Sequence, residues 1–419
     1  MKTLKLPFTV MLMLMAFGAV ASADVMDYAL NVFGNANLDE TIDENDIEYL
    51  SAVINGSENT TRLADANQDG EVNQEDIEQI KQITQGTEDK ISVLDALNRT
   101  VTIKRPVERV ISLRLAISEA MVAMGAEDKV VGVASDTAEQ RILFPVLSQL
   151  PSVGRSSLSN ADTEKIISLK PDLVLVNEYE NIEQIKKLEA AGIVVVSSEC
   201  HGNLLNLISA TKRLGYIFGT VDKAEEYTNW YGSYLEKISS RVEGLSEDEM
   251  PTIFYYWNWG DENGPLGTSG QDCAVSPLIS FVGGKDIASE MAGEYIEVDP
   301  EWVMEQNPSL VVRELIYKEM GYDVDNSTIA TEKVKGFMNR EGFGNIDAVK
   351  NGNVHAIAVN ILSDNSWIGT VYLAKMIHPE LFKDLDPIAV HQEYLTRFLN
   401  LDFDVRKQGV FVYPLPDDW

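Results

Sequence analysis

Residues 162–176 read DTEKIISLKPDLVLV, and this stretch decides the fold class. Ile166–Leu169 is predicted as the end of a short helix, and Pro171-Asp172 forms a turn. Leu173–Val176 is a continuous apolar run, which is typical of a strand that is covered on both faces of a sheet. A helix that turns directly into a buried strand indicates a parallel sheet built from alternating helices and strands.

The same alternation extends in both directions along the chain. Further strands are predicted over Val107–Leu113, Lys129–Val133, Ile193–Ser197, Thr252–Tyr256, Leu310–Arg313 and Val354–Val359. Further helices are predicted over 181–191, 203–219, 277–282, 301–305, 367–377 and 387–400. Between the two halves, apolar residues recur at helical spacing from Val221 to Leu245, which predicts one long helix. The fold class predicted for residues 91–419 is therefore α/β, with two halves of similar size and order.

The N-terminus has the features of a secretory signal peptide. Lys2 and Lys5 precede an apolar run from Leu6 to Ala21, and Ala21-Ser22-Ala23 forms a small-residue cleavage site. The alternative is a retained membrane anchor, but the run of about 16 residues is shorter than the roughly 20 that a spanning helix needs. We expect cleavage of residues 1–23 and an exported protein at the cell surface or in the periplasm.

Charge and cysteine content limit the possible partners. The formal net charge is -32, which argues against binding nucleic acid or an anionic membrane surface. The two cysteines, Cys200 and Cys273, could form a disulfide in an exported protein or remain thiols. Neither lies near the cleavage site, where a lipid anchor would be attached.

Residues 24–90 form an acidic segment with 17 Asp/Glu and 3 Lys/Arg. Residues 35–58 and 65–88 align without gaps, and 8 of the 24 positions are identical. Each copy opens with a 12-residue pattern of oxygen-bearing side chains at alternate positions, which suits Ca²⁺. The predicted calcium ligands are Asn35, Asn37, Asp39, Thr41, Asp43 and Asp46 in the first loop and Asp65, Asn67, Asp69, Glu71, Asn73 and Asp76 in the second. The first loop should bind more weakly, because Glu40 stands where the second has Gly70. The alternative is a solvated acidic linker.

Because an apolar-periodic helix follows each loop and each loop closes with Asp rather than Glu, the acidic segment resembles a dockerin module. The resemblance implies a small all-α, duplicated EF-hand-like fold over residues 24–90 that needs Ca²⁺ and docks to a cohesin-bearing surface protein. Loop positions 10 and 11 are Glu44-Asn45 and Gln74-Glu75. They differ from the Ser/Thr pairs of cellulosomal modules, so a cellulosomal partner is not expected.

Four stretches of the remaining chain carry a second resemblance. They are DALNRTVTIKRPVERVISL (95–113), VGR followed by DTEKIISLKPDLVLV (153–176), VDPEWVMEQNPSLVV (298–312) and HPELFKDLDPIAVHQEYLTRF (378–398). In this order they resemble the iron-siderophore/vitamin B12 class of ABC-transporter substrate-binding proteins over about 320 residues. The resemblance implies two doubly wound α/β lobes, 91–220 and 246–419, bridged by a single helix at 221–245. It also implies a ligand between the lobes and little closure on binding.

Ligands of open α/β sheets bind outside the carboxyl ends of the strands. Polar and aromatic residues that follow predicted strands are therefore the candidates. The predicted ligand contacts are Arg114, Glu178, Tyr179, His201, Tyr256, Trp257, Trp259, Gln271, Arg313, Asn360 and Trp367. The alternative for the aromatic residues is packing within a lobe. The alternative for the two arginines is pairing with Glu178 or Glu314 rather than with an anionic group of a ligand.

The histidines indicate the kind of metal cargo. The chain has four, and only His201 follows a predicted strand end of the cleft, whereas bare Zn²⁺ or Mn²⁺ sites use several. A chelated metal, such as an iron-siderophore, haem or a corrinoid, is therefore favoured, and the aromatic residues suit a flat organic ligand. The resemblance also implies that Glu164 and Glu301 meet basic residues of ABC permease subunits. Their alternative is helix stabilisation through the helix dipole.

The sequence suggests three candidate functions. The first is capture of a metal chelate for an ABC importer. The second is a surface scaffold or sensor attached through the dockerin-like module, with ligand binding as the signal. The third is an enzyme, which is not expected because the chain has no nucleotide-binding, hydrolase or zinc-protease motif and no clustered Ser, His and Asp.

Overall fold

The computed structural model describes residues 28–199, 204–257 and 264–416. The predicted signal peptide lies outside the described residues, as do Cys200, His201 and Trp259. Within those three ranges, no helix combines the length and the apolar composition that crossing a bilayer requires.

The acidic segment forms two loops, each followed by one helix. The helices are α1 (Glu44–Ile54) and α2 (Gln74–Gln85). In both, the residue at loop position 9 caps the helix through its side chain, and the aspartate at position 12, Asp46 or Asp76, accepts a main-chain N–H in return. These reciprocal caps satisfy N–H groups that a helix start leaves unpaired. The repeated sequence is therefore also a repeated structure.

This segment shares a hydrophobic core with the lobe that follows it. Strands β1 (Lys90–Leu94) and β2 (Thr100–Lys104) form an antiparallel pair, and Val32 bridges to Val93 at its edge. Leu50 of α1 and Ile80 of α2 belong to the same buried cluster as Val93. Burial of apolar surface therefore joins the two parts.

The first lobe is built on a four-stranded parallel sheet in the order β4-β3-β5-β6. Its strands are β3 (Val110–Ser112), β4 (Val130–Val133), β5 (Leu173–Asn177) and β6 (Val194–Ser198). Its helices are α3 (Leu115–Ala123), α4 (Ser135–Glu139), α5 (Thr163–Ser168), α6 (Ile182–Ala190) and α7 (Leu204–Phe218). The apolar run at 173–176 is buried throughout, as the sequence predicts.

A single long helix, α8 (Val221–Val242), connects the first lobe to the second. It lies within the stretch that the helical spacing predicts. Tyr227 and Tyr231 on its buried face meet Trp367 of the second lobe, and the rings of Tyr231 and Trp367 stack with centroids 5.3 Å apart. The same helix packs on α7 of the first lobe. Its buried face is therefore fixed by both lobes.

The second lobe contains a seven-stranded sheet, with β10-β8-β7-β11-β12-β13 in sequence across it and β9 paired to β7. Its strands are β7 (Thr252–Trp257), β8 (Leu266–Ser269), β9 (Lys285–Asp286), β10 (Tyr295–Val298), β11 (Leu310–Leu315), β12 (Val354–Ala358) and β13 (Val412–Tyr413). Its helices are α9 (Val275–Phe281), α10 (Pro300–Gln306), α11 (Thr328–Met338), α12 (Asp347–Lys350), α13 (Val359–Leu362), α14 (Ser366–Ile377) and α15 (Pro387–Arg397).

This sheet is mixed: β7, β11 and β12 run parallel to one another at its centre, as the α/β prediction requires, and antiparallel strands flank them. β8, β10 and β13 run antiparallel to their neighbours, and none of these three strands is among those that the sequence predicts. The sequence of β8, LGTS, has no apolar alternation to signal a strand. Gly267 instead receives the indole of Trp257, since a Cβ there would come within 2.7 Å of the ring. The pairing of β8 with β7 is therefore accompanied by the packing of Trp257 on Gly267, and the sequence of β8 contains no apolar alternation that would predict it.

Candidate ligand-binding cleft

A cavity of about 310 Å³ lies between the two lobes, at the carboxyl ends of their central strands. The first lobe contributes Arg114 after β3 and Asn177 and Tyr179 at the end of β5. The polar and aromatic lining from the second lobe consists of Tyr255, Trp257, Cys273, Glu294, Tyr295, Glu314, Ser363 and Asp364. Strands of the two sheets end here because parallel strands place their carboxyl ends at one edge.

Three of the predicted contact residues line this cavity. Arg114 precedes α3, Tyr179 stands at the rim with 70% of its surface exposed, and Trp257 ends β7. His201 and Trp259 lie outside the described residues. Their predicted role therefore stays a prediction.

Tyr256 and Arg313 are in the wrong place for ligand contact. Both are 1% exposed, and the Arg313 guanidinium lies over the Tyr256 ring, 5.2 Å from its centroid, on the face covered by Phe337. Successive residues of a strand point to opposite faces of the sheet. Their neighbours Tyr255 and Glu314 therefore face the cleft.

Four more predicted contacts are absent from the cavity lining. Glu178 lies in the turn after β5, and Gln271 is exposed in the turn after β8. Asn360 is buried against Gly321. The two residues are so close that a Cβ added to this glycine would lie 2.6 Å from the Asn360 amide nitrogen. Trp367 is buried because it anchors α14 to α8, where its indole N–H donates to the Tyr227 hydroxyl at 3.0 Å.

Glu314 is the centre of a hydrogen-bonded group in the cleft wall. Its carboxylate accepts the Tyr255 hydroxyl at 2.8 Å and the Ser363 hydroxyl. Burial raises the pKa of Glu314 to about 7; the two hydroxyl donors oppose that rise, and the nearby carboxylate of Asp364 adds to it. Glu314 follows the predicted contact Arg313 at the end of β11, and the structure decides that Glu314 is the one that faces the cleft.

A second acidic group stands beside the first. Asp364 accepts the Tyr317 hydroxyl. Burial, followed by the Asp364 charge, raises the pKa of Tyr317; Asp136 adds to the rise and the Arg114 guanidinium opposes it. The acidic side chains that line the described cavity, Glu294, Glu314 and Asp364, all belong to the second lobe.

Aromatic rings form the rim of the cleft. Tyr295 is 58% exposed and meets Trp257 edge to face, with ring centroids 5.6 Å apart. Tyr179 stands at the first-lobe side of the same cavity. Large exposed aromatic side chains around a cleft are typical of a ligand-binding surface.

A smaller cavity of about 50 Å³ lies deeper between the lobes and shares Asp364 with the cleft lining. Glu119 of α3 lines it, is 3% exposed and accepts the Asn365 side-chain amide of the second lobe at 3.2 Å. Burial raises the pKa of Glu119 well above its ordinary value. This contact joins the two lobes behind the cleft.

The described residues include three histidines and one cysteine. His355, His378 and His391 lie outside the described cleft lining, and each is hydrogen-bonded within the second lobe. Burial lowers the pKa of His391 to about 3. Cys273 is a buried free thiol in the cleft wall, and burial raises its pKa.

The two loops of the acidic segment share one hydrogen-bond pattern. The position-12 aspartates accept main-chain N–H groups from positions 3 and 9: Asp46 from Asn37 at 3.2 Å and Asp43 at 2.9 Å, and Asp76 from the corresponding residues at 3.1 and 2.8 Å. Burial raises the pKa of Asp46 to about 6 and also raises that of Asp76. A bound cation would instead favour the charged form of each carboxylate.

The fit of these loops to calcium rests on a mixed set of oxygens. Throughout the three described ranges, no three His, Cys, Asp or Glu side chains converge as a metal-binding cluster. In the first loop, however, Asn35 is fully buried, and its amide oxygen has no hydrogen-bond partner. Calcium accepts amide and main-chain oxygens as well as carboxylates. An orphaned buried oxygen at the first ligand position is thus compatible with the predicted ion.

The first loop also contacts α7 of the first lobe. Lys212 pairs with Glu40 at 3.3 Å, and the Tyr216 hydroxyl accepts the Ile42 N–H at 3.0 Å. Glu40 replaces the glycine of the second loop, where Gly70 has a φ of +94°. The departure from the repeat therefore coincides with a contact to the lobe.

The two predicted permease-docking residues occupy matching positions. Glu164 lies in the first turn of α5 and Glu301 in the first turn of α10, and both are exposed. Each follows the residue pair Asp162-Thr163 or Asp299-Pro300 that begins its helix. One acidic side chain is therefore presented by each lobe.

Comparison with known proteins agrees with this architecture. The family described as "Periplasmic binding protein" matches residues 110–358. A Bacillus subtilis protein called "Uncharacterized ABC transporter substrate-binding lipoprotein YvrC" is 26% identical over 68% of this chain and 85% of its own. A "Cobalamin-binding protein" of Halobacterium salinarum is 23% identical over 63% of this chain and 69% of its own. The solved structure of "TroA-like Periplasmic Binding Protein FepB from Veillonella parvula" is 21% identical and has a TM-score of 0.64, covering 78% of this chain and 99% of that chain.

Proposed function

Since the chain belongs to the periplasmic binding protein family, we propose that it captures a metal chelate outside the cytoplasm and delivers it to an ABC importer. The chelate is an iron-siderophore, haem or a corrinoid. The relatives include a substrate-binding lipoprotein and a cobalamin-binding protein. Capture without chemical conversion is therefore the activity to test.

The interlobe cavity is the observation that carries this proposal. It is lined from both lobes, and its rim bears Tyr179 and Tyr295. At about 310 Å³ it lies at the lower end of ordinary ligand pockets, so a bulky chelate would bind partly inside and partly against the exposed rings. Such contacts suit the organic shell of a chelate better than a bare ion.

A thermal-shift screen tests the proposal. Ferric siderophores, haem and corrinoids are added separately to the ligand-free protein, with free divalent metals and amino acids for comparison. A ligand at a hundredfold excess over its Kd should stabilise the fold by about 2.7 kcal/mol. Stabilisation by one chelate class is the expected result. Stabilisation by a free metal or an amino acid, with no response to any chelate, would refute chelate capture.

We further propose that the acidic segment binds Ca²⁺ through its two loops as a dockerin-like module. Support comes from the shared hydrogen-bond pattern of the loops and from the unpartnered amide oxygen of Asn35. The residues that would hold the ions are those at the alternating loop positions. Calcium would neutralise carboxylates that the fold keeps buried. The cohesin partner, and the alternative role as a surface scaffold or sensor, stay predictions.

Docking to permease subunits through Glu164 and Glu301 is also part of the proposal. Their support is the matching exposed position of one carboxylate on each lobe. Two separated acidic contacts would orient the protein on the permease, and their strength would depend on salt concentration.

A further inference from the structure

The charges of the cleft set a limit on its cargo. Among the lining residues that the structure describes, Glu294, Glu314 and Asp364 are acidic and Arg114 is basic. Glu314 and Asp364 stand in the wall, whereas Glu294 is exposed near the rim. The described lining therefore carries more negative than positive groups, the reverse of what an anion-binding cleft needs.

We infer that the cleft selects a neutral or cationic chelate over an anionic one, and that it holds this cargo by hydrogen-bond donors and a flat face. This inference rests on the proposed function and narrows it. The ligand donors would face Glu314 and Asp364, and the flat face would lie against Tyr179 and Tyr295.

The hydroxyl groups in the wall orient the two acceptors. Tyr255 and Ser363 each donate to Glu314, and Tyr317 donates to Asp364. Each carboxylate oxygen of Glu314 has two acceptor sites, so the Tyr255 and Ser363 hydroxyls leave room for N–H or O–H groups of a ligand. At a pH above about 7, where the Glu314 carboxyl is ionised, an anionic ligand at the same place would bring like charges together in a partly buried cavity, which is costly.

The rim adds a second, independent preference. Tyr179 and Tyr295 come from opposite lobes and expose 70% and 58% of their surfaces, and Trp257 supports Tyr295 edge to face. Aromatic faces carry partial negative charge, so they attract cations and pack against flat apolar surfaces. The acidic wall disfavours small oxyanions, and the aromatic rim favours a large chelate without net negative charge.

Four probes separate the possibilities in equilibrium titrations of the full chain. They are a cationic corrinoid without its nucleotide loop, a ferric hydroxamate, an anionic ferric catecholate and molybdate. We expect the corrinoid or the hydroxamate to bind at least about tenfold more tightly than either anion, since one unpaired or opposed charge changes affinity by at least this factor. The binding is followed by the fluorescence of the tryptophans and by calorimetry.

Charge variants then test the residues. Glu314→Gln and Asp364→Asn should each weaken the preferred probe about tenfold, because a neutral amide is a weaker acceptor than a carboxylate. Glu294→Lys, at the exposed rim, should improve binding of the catecholate. Glu332→Gln is the matched control, since Glu332 is exposed on α11, which covers the opposite face of the sheet. Melting temperatures confirm that each variant is folded.

The outcomes distinguish the inference from the proposed function. If the catecholate binds most tightly, or if Glu314→Gln and Asp364→Asn leave the affinity of the preferred probe unchanged, the charge selection is wrong while chelate capture stands. If molybdate alone binds, or if no probe binds to the wild-type chain, the proposed capture of a chelate fails as well.

Discussion

At the scale of single residues, Glu314 should make the stability of the ligand-free protein depend on pH. Its pKa of about 7 in the fold exceeds the ordinary 4.5, so the fold favours the protonated carboxyl. The stabilisation is complete below about pH 4.5 and is lost as the pH rises through 7. Tyr255, Tyr295, Cys273 and Asp364 are the titratable groups that surround it.

Glu314→Gln should remove this part of the pH dependence. With about 1.4 kcal/mol for each pKa unit and an allowance for solvent screening, the expected loss in the wild type is on the order of 2 kcal/mol between these pH values. Denaturant unfolding at a series of pH values measures it. Glu332→Gln should keep the wild-type slope; the same slope in Glu314→Gln would show that another group titrates.

Some residues of the cleft could be predicted from the sequence, and others could not. The strand-end rule leads to Arg114, Tyr179 and Trp257, which line the described cavity, and their contact with a ligand stays a prediction. It does not decide between Tyr255 and Tyr256, or between Arg313 and Glu314, because it fixes the end of a strand and not the face. Glu294 and Tyr295 escape it altogether, since they precede or lie on a strand that the apolar pattern does not reveal.

At the scale of elements, α7 connects the first loop of the acidic segment to the lobe. Lys212, Arg213 and Tyr216 are close together on this helix. Lys212 pairs with Glu40, Arg213 donates to the Leu94 carbonyl and pairs with Glu199, and Tyr216 holds the main chain of Ile42. One helix therefore contacts the predicted calcium loop, the β1 strand and the end of β6. Calcium should stabilise this lobe as well as the loops.

Tyr216→Phe tests that connection. We expect calcium to raise the melting temperature of the wild-type chain relative to EGTA, and we expect a smaller rise in the variant. The lost hydrogen bond should itself cost about 1 kcal/mol in the free energy of unfolding. Tyr49→Phe is the control, because the Tyr49 hydroxyl donates to the Asn59 carbonyl beyond the first loop. Equal calcium responses in wild type and Tyr216→Phe would contradict the coupling.

How well a helix or strand could be predicted depends on how strong its apolar pattern is in the sequence. Buried parallel strands such as β5 and β12, and the helix α8, have strong apolar patterns and lie where the sequence predicts them. β8 and β10 have weak apolar patterns. Their pairing, β8 with β7 and β10 with β8, is not indicated by any local feature of the sequence. The packing of the acidic segment on α7 likewise depends on contacts between residues more than 170 positions apart, such as Ile42 and Tyr216, which no local pattern contains.

At the scale of the whole molecule, we expect Glu164 and Glu301 to be required for transport but not for ligand binding. Glu164→Arg combined with Glu301→Arg should sharply reduce ATP-dependent uptake in cells or vesicles that contain the cognate permease, because like charges would meet at both contacts. Ligand affinity should stay at the wild-type value, since neither residue lines the described cleft. Glu305→Arg, a nearby exposed site on α10, serves as the control. Full uptake by the double variant would refute this docking mode.

The measurement that most directly tests capture between the lobes is a calorimetric titration of the chelate identified by the screen. Wild type should bind one ligand per chain. Tyr179→Ala combined with Tyr295→Ala should weaken binding by on the order of tenfold or more, because the rim of the cleft loses an aromatic side chain on each lobe. Val146→Ala, which shortens another exposed apolar side chain, should bind like the wild type. An unchanged Kd in the double tyrosine variant would contradict binding in the interlobe cleft.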